Sequence, residues 1–283
     1  MTYLSRIPLA PLRTGARKLL RSPQAMHAAV LGGVAYHPDP GRTLWRLDAD
    51  NAHRPYLYVL TQPQPDWTAL TEQAGWAVDH AHAKPAIAEY KPLLARLKAG
   101  QEYSFRLTAS PVMSTARTEL LNPTQTARQK ANRRNNDPSL RRSFRVAHRT
   151  ADAQLAWLIS RAHKHGFEPL PVPGTAEPVP GIFPFTDTEP STEPIPDVHI
   201  ARQDKRVFTK DLTGQAEAKT GTTKVSIQTA TFEGNLRVTD PVALARSLIT
   251  GIGPSKAYGC GLLTLAPPAT PARPQGEVGP SGW

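Results

Sequence analysis

The order of secondary-structure signals at the N-terminus limits the possible folds of this chain more than any other feature. "TYLSRIPLA" predicts a strand that two prolines close. "SPQAMHAAVLGGV" predicts a helix, with Ser22 as its N-cap, Pro23 at the first helical position and a glycine pair as its stop. "TLWRLDAD" and "PYLYVLTQ" predict two more strands across the polar turn "NAHR". The chain therefore opens as strand, helix, strand, strand.

A similar order follows in the second half of the chain. Strand signals lie at 101–109, in "DVHIARQDKRVFTK", in "TTKVSIQTATFEGNLRVTD", which we expect to turn at 233–235, and in "CGLLTLAP". Helix signals lie in "ADAQLAWLISRAHKHGF" and "DPVALARSLITG". The sequence therefore predicts an α+β protein of two tandem ferredoxin-like (RRM-type) domains, residues 1–97 and 98–267, followed by a disordered tail, 268–283.

Two segments of the second domain lack the pattern of a packed element. The basic insertion, residues 113–149, has no apolar stripe, so we expect a mobile insertion or hairpin there. The Pro-rich loop, residues 169–197, contains nine prolines and five acids, which predicts a long surface loop or a disordered insertion.

Positive charge is concentrated in two stretches. The chain carries 34 Lys and Arg against 23 Asp and Glu, a net charge of +11. The first 21 residues hold five basic residues and no acid, giving +5, and the basic insertion holds nine against two acids, giving +7. These sum to +12, so the rest of the chain carries about −1. Such a localised footprint favours a polyanionic partner such as nucleic acid over a neutral metabolite.

Cysteine and histidine usage narrows the chemistry further. The single cysteine, Cys260, excludes an internal disulfide and a cysteine-based zinc cluster, and it is typical of a reducing compartment such as the cytoplasm. No secretory h-region and no run of about 18 apolar residues is present, so we expect no membrane association. The close histidine pairs, His80 with His82 and His163 with His165, lack further ligands at metal-binding spacing, so we expect no metal and no cofactor.

The Gly-rich loop, residues 251–261 ("GIGPSKAYGCG"), suggests an anion site but matches no nucleotide-binding motif. A Walker loop needs Ser or Thr after its lysine, whereas Lys256 precedes Ala257. A Rossmann loop follows a strand and opens a helix, and this loop does the reverse. Two interpretations remain from spacing alone: a turn without a ligand, or a cradle of small residues and Lys256 for a phosphodiester.

Several segments together resemble the CasE family, the CRISPR precursor-RNA endoribonucleases of the type I-E Cascade complex. They are "YLSRIPL", "ARKLLRSPQAMHAAV", "LWRLD", "QAEAKTG", "VSIQTATFEGNLRVTDP" and "GIGPSKAYGCGLLTLAP". The similarity runs from residue 3 to about 267, except in the basic insertion and the Pro-rich loop. It implies two ferredoxin-like domains, a Gly-rich loop packed on RNA backbone, and cleavage on the 3′ side of a repeat hairpin that stays bound within Cascade.

Metal-independent RNA cleavage needs the ribose 2′-OH as nucleophile, proton transfer and positive charge at the phosphorane. The family's catalytic histidine falls at His27, whose imidazole can change protonation near neutral pH. We assign Lys256 to phosphate contact and charge stabilisation. Some relatives have a tyrosine where Gln24 stands here, and Gln24 cannot exchange a proton, so Tyr3, Tyr36 and Lys256 remain candidates for the second proton-transfer group.

The remaining site predictions concern RNA contact. They comprise a basic group flanking the cleavage site, a basic group gripping the hairpin stem, and small residues of the Gly-rich loop: Arg13, Arg17, Lys18, Arg21; Arg128, Lys130, Arg133, Arg134, Arg141, Arg142, Arg145; Gly251, Gly253, Ser255 and Gly259. Two other functions stay open at this point. One is a hairpin RNA-binding protein of the same fold without catalysis, and the other is a nucleotide-dependent enzyme that uses the Gly-rich loop.

Overall fold

The first sheet of the computed structural model has the predicted ferredoxin-like order. The structure describes residues 1–77, 84–134, 143–172, 195–211 and 222–268. The first sheet contains β1 (Tyr3–Pro8), β2 (Leu44–Asp48), β3 (Tyr56–Thr61) and β4 (Ala86–Glu89), in the antiparallel order β2-β3-β1-β4. Three helices connect these strands: α1 (Thr14–Arg21), α2 (Pro23–Gly32) and α3 (Thr68–Ala74).

The second sheet repeats this order with an additional strand. It follows α4 (Lys91–Arg96) and contains β5 (Glu102–Ala109), β8 (Phe167–Pro169), β10 (Thr222–Val238) and β11 (Leu263–Ala266), in the order β11-β5-β10-β8. β9 (Val198–Asp211) pairs with the part of β10 that β8 leaves free. The helices of this half are α6 (Ala151–Ala162) and α7 (Pro241–Thr250). The prediction of an α+β fold with two ferredoxin-like units is confirmed, and the boundary at 97/98 stays a prediction.

The basic insertion is more ordered than we expected from its lack of apolar residues. β6 (Val112–Thr115) pairs with β7 (Phe144–Ala147), which agrees with a hairpin. Between them lies α5 (Pro123–Arg134), a helix that the sequence analysis missed. Its N-terminus is a capping box, because Asn122 Oδ1 accepts from the Gln125 amide at 2.8 Å and Gln125 Oε1 accepts from the Asn122 amide at 3.1 Å. The polar residues themselves therefore supply the helix signal.

The expected turn at 233–235 is wrong, because β10 runs without interruption from Thr222 to Val238. The glycine has another role: a Cβ at Gly234 would lie 2.0 Å from the Asp197 carbonyl oxygen, so Gly234 lets that backbone approach. The Pro-rich loop is closed at its ends, where the Val172 amide donates to Ile195 O at 2.8 Å. Its centre, 173–194, and the predicted tail beyond 268 lie outside the described residues.

The two faces of β2 and β3 pack into different cores, which fixes the relation of the two halves. On one face Trp45, Leu57 and Val59 pack with residues of the first three helices. On the other face Leu44 and Leu60 belong to the core of the second half. Strand alternation explains the division, since Leu44 pairs with Leu60 and the adjacent Trp45 pairs with Val59. β2 is therefore shared between both cores.

Arg46, on the same face of β2 as Leu44, links the two sheets. Its Nη1 donates to Arg106 O at 2.8 Å, Leu262 O at 3.1 Å and Thr264 Oγ1 at 2.8 Å. Its Nε and Nη2 donate to the two carboxylate oxygens of Asp48 at 2.7 and 2.9 Å. Arg46 is nearly inaccessible, so the charge is buried only because every donor group has a partner. Among the described residues, no helix is both long and apolar enough to cross a bilayer.

Candidate nucleic-acid interface

His27 lies on α2, whose start is fixed by the predicted cap. Ser22 Oγ accepts from the Ala25 amide at 3.2 Å, and Pro23 occupies the first turn. Met26 and Val30 are buried in the first core, which sets the rotation of the helix. This rotation leaves His27 half-buried, with its Nδ1 enclosed and without a hydrogen-bond partner among the described residues.

Burial favours the neutral form of the His27 imidazole. It lowers the pKa of the imidazole from its ordinary value of 6.5, because the charged form loses solvation. At neutral pH the ring is therefore mainly uncharged and has a lone pair available. Such a group can accept a proton from a hydroxyl placed within hydrogen-bond reach.

The glycines of the Gly-rich loop are required by close packing on β2 and α6. Gly251 and Gly259 have φ of 78° and 83°, in the left-handed region that favours glycine. A Cβ at Gly251 would lie 2.9 Å from Leu44 Cδ2, and one at Gly259 would lie 2.7 Å from Trp45 Cζ3. Both glycines are buried, so they shape the loop, and RNA contact is more accessible to the half-exposed Gly253 and Ser255.

Lys256 follows a residue in an unusual backbone conformation. Ser255 has φ of 63°, the single positive φ of a non-glycine residue in the described ranges. Lys256 then opens the 3-10 turn Lys256–Tyr258, which contacts both α2 and β2. Partial burial, and to a lesser extent the charge of Arg42, lowers the pKa of Lys256. The structure thus brings the helix of His27 and the turn of Lys256 into contact from distant parts of the chain.

Lys256 lines a cationic groove with a volume of about 620 Å³. Arg42, Arg145 and Arg161 also line it, together with Gly253–Ala257, and no carboxylate does. Arg161 is fixed by stacking over Trp157 at 4.8 Å, so its direction is set by α6. Sequence analysis missed Arg42 and Arg161, because each is an isolated arginine without a neighbouring motif.

The groove continues along the basic insertion. Two adjoining depressions of about 440 and 490 Å³ share Arg145 with the first, and Arg128 lines the farther one. Lys130, Arg133 and Arg134 lie exposed on α5. The helix is anchored by Gln129, whose Nε2 donates to Ala116 O at 2.8 Å.

The predicted basic residues of the N-terminal stretch lie on and just before α1. Arg17, Lys18 and Arg21 are exposed, and α1 packs against α2 and α3. Arg13 is partly committed to the fold, because its Nη1 donates to Gly75 O at 2.9 Å. None of these four lines the described groove, so their RNA contact stays a prediction. Arg141 and Arg142 lie outside the described residues.

The candidates for a second proton-transfer group differ in their surroundings. The hydroxyl of Tyr36 donates to Gln64 O, and that of Tyr3 points to Met1 Sδ at 3.4 Å. Lys256 alone of the three belongs to the groove. Cys260 is fully buried, and burial raises the pKa of its thiol to about 12, so it remains a protonated core side chain. Within the described ranges, no three or more His, Cys, Asp or Glu side chains cluster as metal ligands.

Sequence comparisons relate this chain to known proteins. Residues 2–267 match the family model of CRISPR associated protein. The chain is 30% identical over 268 residues to the CRISPR-associated endoribonuclease Cse3 of Thermus thermophilus, covering 94% of this chain and 100% of that protein. It is 41% identical over 73 residues to the Cascade subunit CasE of Escherichia coli, covering 26% and 32% of the two chains.

A solved structure shows the same similarity in three dimensions. The structure of Thermus thermophilus Cse3 bound to an RNA representing a pre-cleavage complex superposes with a TM-score of 0.60 at 28% identity, covering 94% of this chain and 99% of that one. The sequence comparison and the structural comparison with Cse3 each cover 94% of this chain. The chain therefore belongs to the family of CRISPR-associated proteins, and within it to the CasE (Cse3) type.

Proposed function

We propose that this protein is a metal-independent endoribonuclease that cleaves CRISPR repeat hairpins in precursor RNA, without a cofactor. It keeps the 3′ hairpin of the mature RNA bound as a subunit of Cascade. The observation that carries this proposal is the contact between the helix of His27 and the turn of Lys256. Lys256 itself lines a groove that contains three arginines and no carboxylate. Because the precursor transcript is made in the cytoplasm, we also place the protein there.

The reaction is an internal transesterification. The neutral imidazole of His27 takes the proton of the ribose 2′-OH, and the 2′-oxygen attacks the adjacent phosphorus. The new P–O2′ bond forms as the P–O5′ bond breaks, and the departing 5′-oxygen takes a proton from water, to which the imidazolium of His27 later returns its own. The products are a 2′,3′-cyclic phosphate and a 5′-hydroxyl. Lys256 balances the negative charge that develops on the phosphorane oxygens.

The basic insertion gives a surface for the hairpin stem. A-form RNA is recognised mainly through its shape and its phosphates, which lysine and arginine can contact without reading sequence. Arg128 and Arg145 line the continuation of the groove, and three further cations lie on the exposed side of α5. We therefore propose that the stem lies along α5 and the β6–β7 ribbon while its base reaches the Gly-rich loop.

Single-turnover cleavage of repeat RNA in EDTA tests the catalytic proposal. We expect the wild type to cut the RNA and His27→Ala to lose about 10²–10⁴-fold in rate, with hairpin affinity unchanged within about twofold. His53→Ala, which removes an exposed histidine from the turn after β2, is the matched control and should cleave normally. If the wild type binds the hairpin but leaves it intact, the protein is a binding module and the proposal is wrong.

A charge-matched pair of double variants tests the stem surface. Arg128→Gln with Arg145→Gln removes two cations from the groove, whereas Arg54→Gln with Arg246→Gln removes two exposed cations that do not line it. We expect the first pair to weaken hairpin binding at least tenfold and to flatten its salt dependence, and the second to change affinity by less than about threefold. Equal losses would show that net charge, and not this surface, binds the stem.

A further inference from the structure

Arg42 has no assigned role, yet its position connects it to the Gly-rich loop. It lies two residues before Leu44, the first residue of β2, which packs on Gly251. Trp45, the next residue of β2, packs on Gly259. The two ends of the loop are therefore held by consecutive residues of β2, and Arg42 lies beyond the end of that strand, toward the tip of the loop.

Arg42 and Lys256 line the same groove without a shared counterion. Both are among the residues that form the 620 Å³ groove, and no carboxylate lines it. Among the described residues, neither side chain has an ion pair with an acid, although Arg106 and Arg237 each have two or more. Two like charges held near each other repel, and an anion placed between them removes that cost.

The environment of Lys256 is consistent with this proximity. The charge of Arg42 contributes to lowering the pKa of Lys256, after the larger effect of burial. An arginine cannot lose its proton at working pH and offers a planar fork of donors that matches two phosphate oxygens. A lysine offers a point charge instead. The pair would therefore contact different oxygens of one phosphate.

We infer that Arg42 is a further catalytic residue, which contacts the same RNA phosphate as Lys256 and stabilises its developing charge. This inference rests on the proposed function and adds a second cation to the cleavage site, one that stays charged at working pH. Because Gln24 cannot exchange a proton, charge stabilisation by Arg42 also relieves the demand on a second proton-transfer group.

The experiment compares Arg42→Ala and Arg42→Lys with Arg54→Ala, an exposed arginine beyond the opposite end of the same strand. The first measurement is single-turnover cleavage of the repeat hairpin in EDTA. We expect Arg42→Ala to lose about 10²–10³-fold, as for one donor to a developing oxyanion, Arg42→Lys to recover part of that loss, and Arg54→Ala to cleave normally. A normal rate for Arg42→Ala, with an active wild type, overturns the inference and leaves the proposed function intact.

The second measurement is hairpin affinity against salt, made in the His27→Ala background so that the RNA stays whole. Loss of one phosphate contact should reduce the slope of log affinity against log salt by about 0.7–0.9 for Arg42→Ala and leave it unchanged for Arg54→Ala. A merely structural role would not change this slope. If the wild type does not cleave, the proposed function fails, and equal slopes for the two alanine variants would then refute the phosphate contact as well.

Discussion

Replacing Arg46 by methionine should destabilise the protein by about 3 kcal/mol. The side chain makes five hydrogen bonds, to Asp48, Arg106, Leu262 and Thr264, from a site where only 3% of it is exposed. Removing one partner of a buried charged pair usually costs about 3–5 kcal/mol, because the other group is left buried without compensation.

We expect a destabilisation at the lower end of that range, because two of the partners of Arg46 keep other contacts. Asp48 keeps the guanidinium of Arg106 at 3.7 Å, and Thr264 Oγ1 still reaches Arg106 O at 3.4 Å. Leu262 O loses its donor, which alone costs about 1–3 kcal/mol when the group stays buried. Methionine fills a similar volume, so a large cavity term is not expected.

Urea unfolding followed by tryptophan fluorescence measures this loss. With a slope of about 2–3 kcal/mol/M, a loss of 3 kcal/mol lowers the midpoint by about 1–1.5 M. Arg202→Met is the control: it removes an ion pair to Asp204 at 2.8 Å from a side chain that is 48% exposed, and should cost less than about 1 kcal/mol. Equal small losses for both variants would refute the argument that Arg46 joins the two halves.

Three further predictions concern the loop, the catalytic group and the insertion. Gly259→Ala should lower the melting temperature more than Gly100→Ala, because both have φ near 80° but only the first would press a Cβ against Trp45; equal shifts in thermal unfolding would count against this packing. The cleavage rate should rise with pH and level off above the pKa of His27, which burial holds below 6.5, and a rate that falls across this range would instead indicate an acid. Gln129→Ala should weaken hairpin binding, because it removes the hydrogen bond that holds α5 in place. Unchanged helicity and unchanged hairpin affinity would contradict this prediction.

Local chemistry made the helix starts and most strands predictable. Ser22 with Pro23 and Asp240 with Pro241 are each a cap residue followed by a proline, and both side chains cap the helix that follows. In the strands, apolar residues alternate with polar ones where one face is buried and are continuous where both faces are buried. These signals need no knowledge of distant contacts.

The missed features depend on contacts between distant residues or on polar packing. α5 was missed because it has no apolar stripe; instead, glutamine side chains dock it by donating to backbone carbonyls. The prediction of a turn at Gly234 was wrong, because this glycine instead lets the backbone of Asp197 lie close to β10. Arg42 and Arg161 could not be found by pattern, since only the fold brings them beside Lys256.

The structure of this protein with an uncleavable repeat hairpin, carrying a 2′-O-methyl ribose at the cleaved position, tests this mechanism most directly. We predict that the imidazole of His27 lies within about 3.2 Å of the 2′-oxygen and that Lys256 Nζ contacts a non-bridging oxygen of the adjacent phosphate. An RNA chain that passes Lys256 while His27 stays more than a nucleotide away from that phosphate would contradict it.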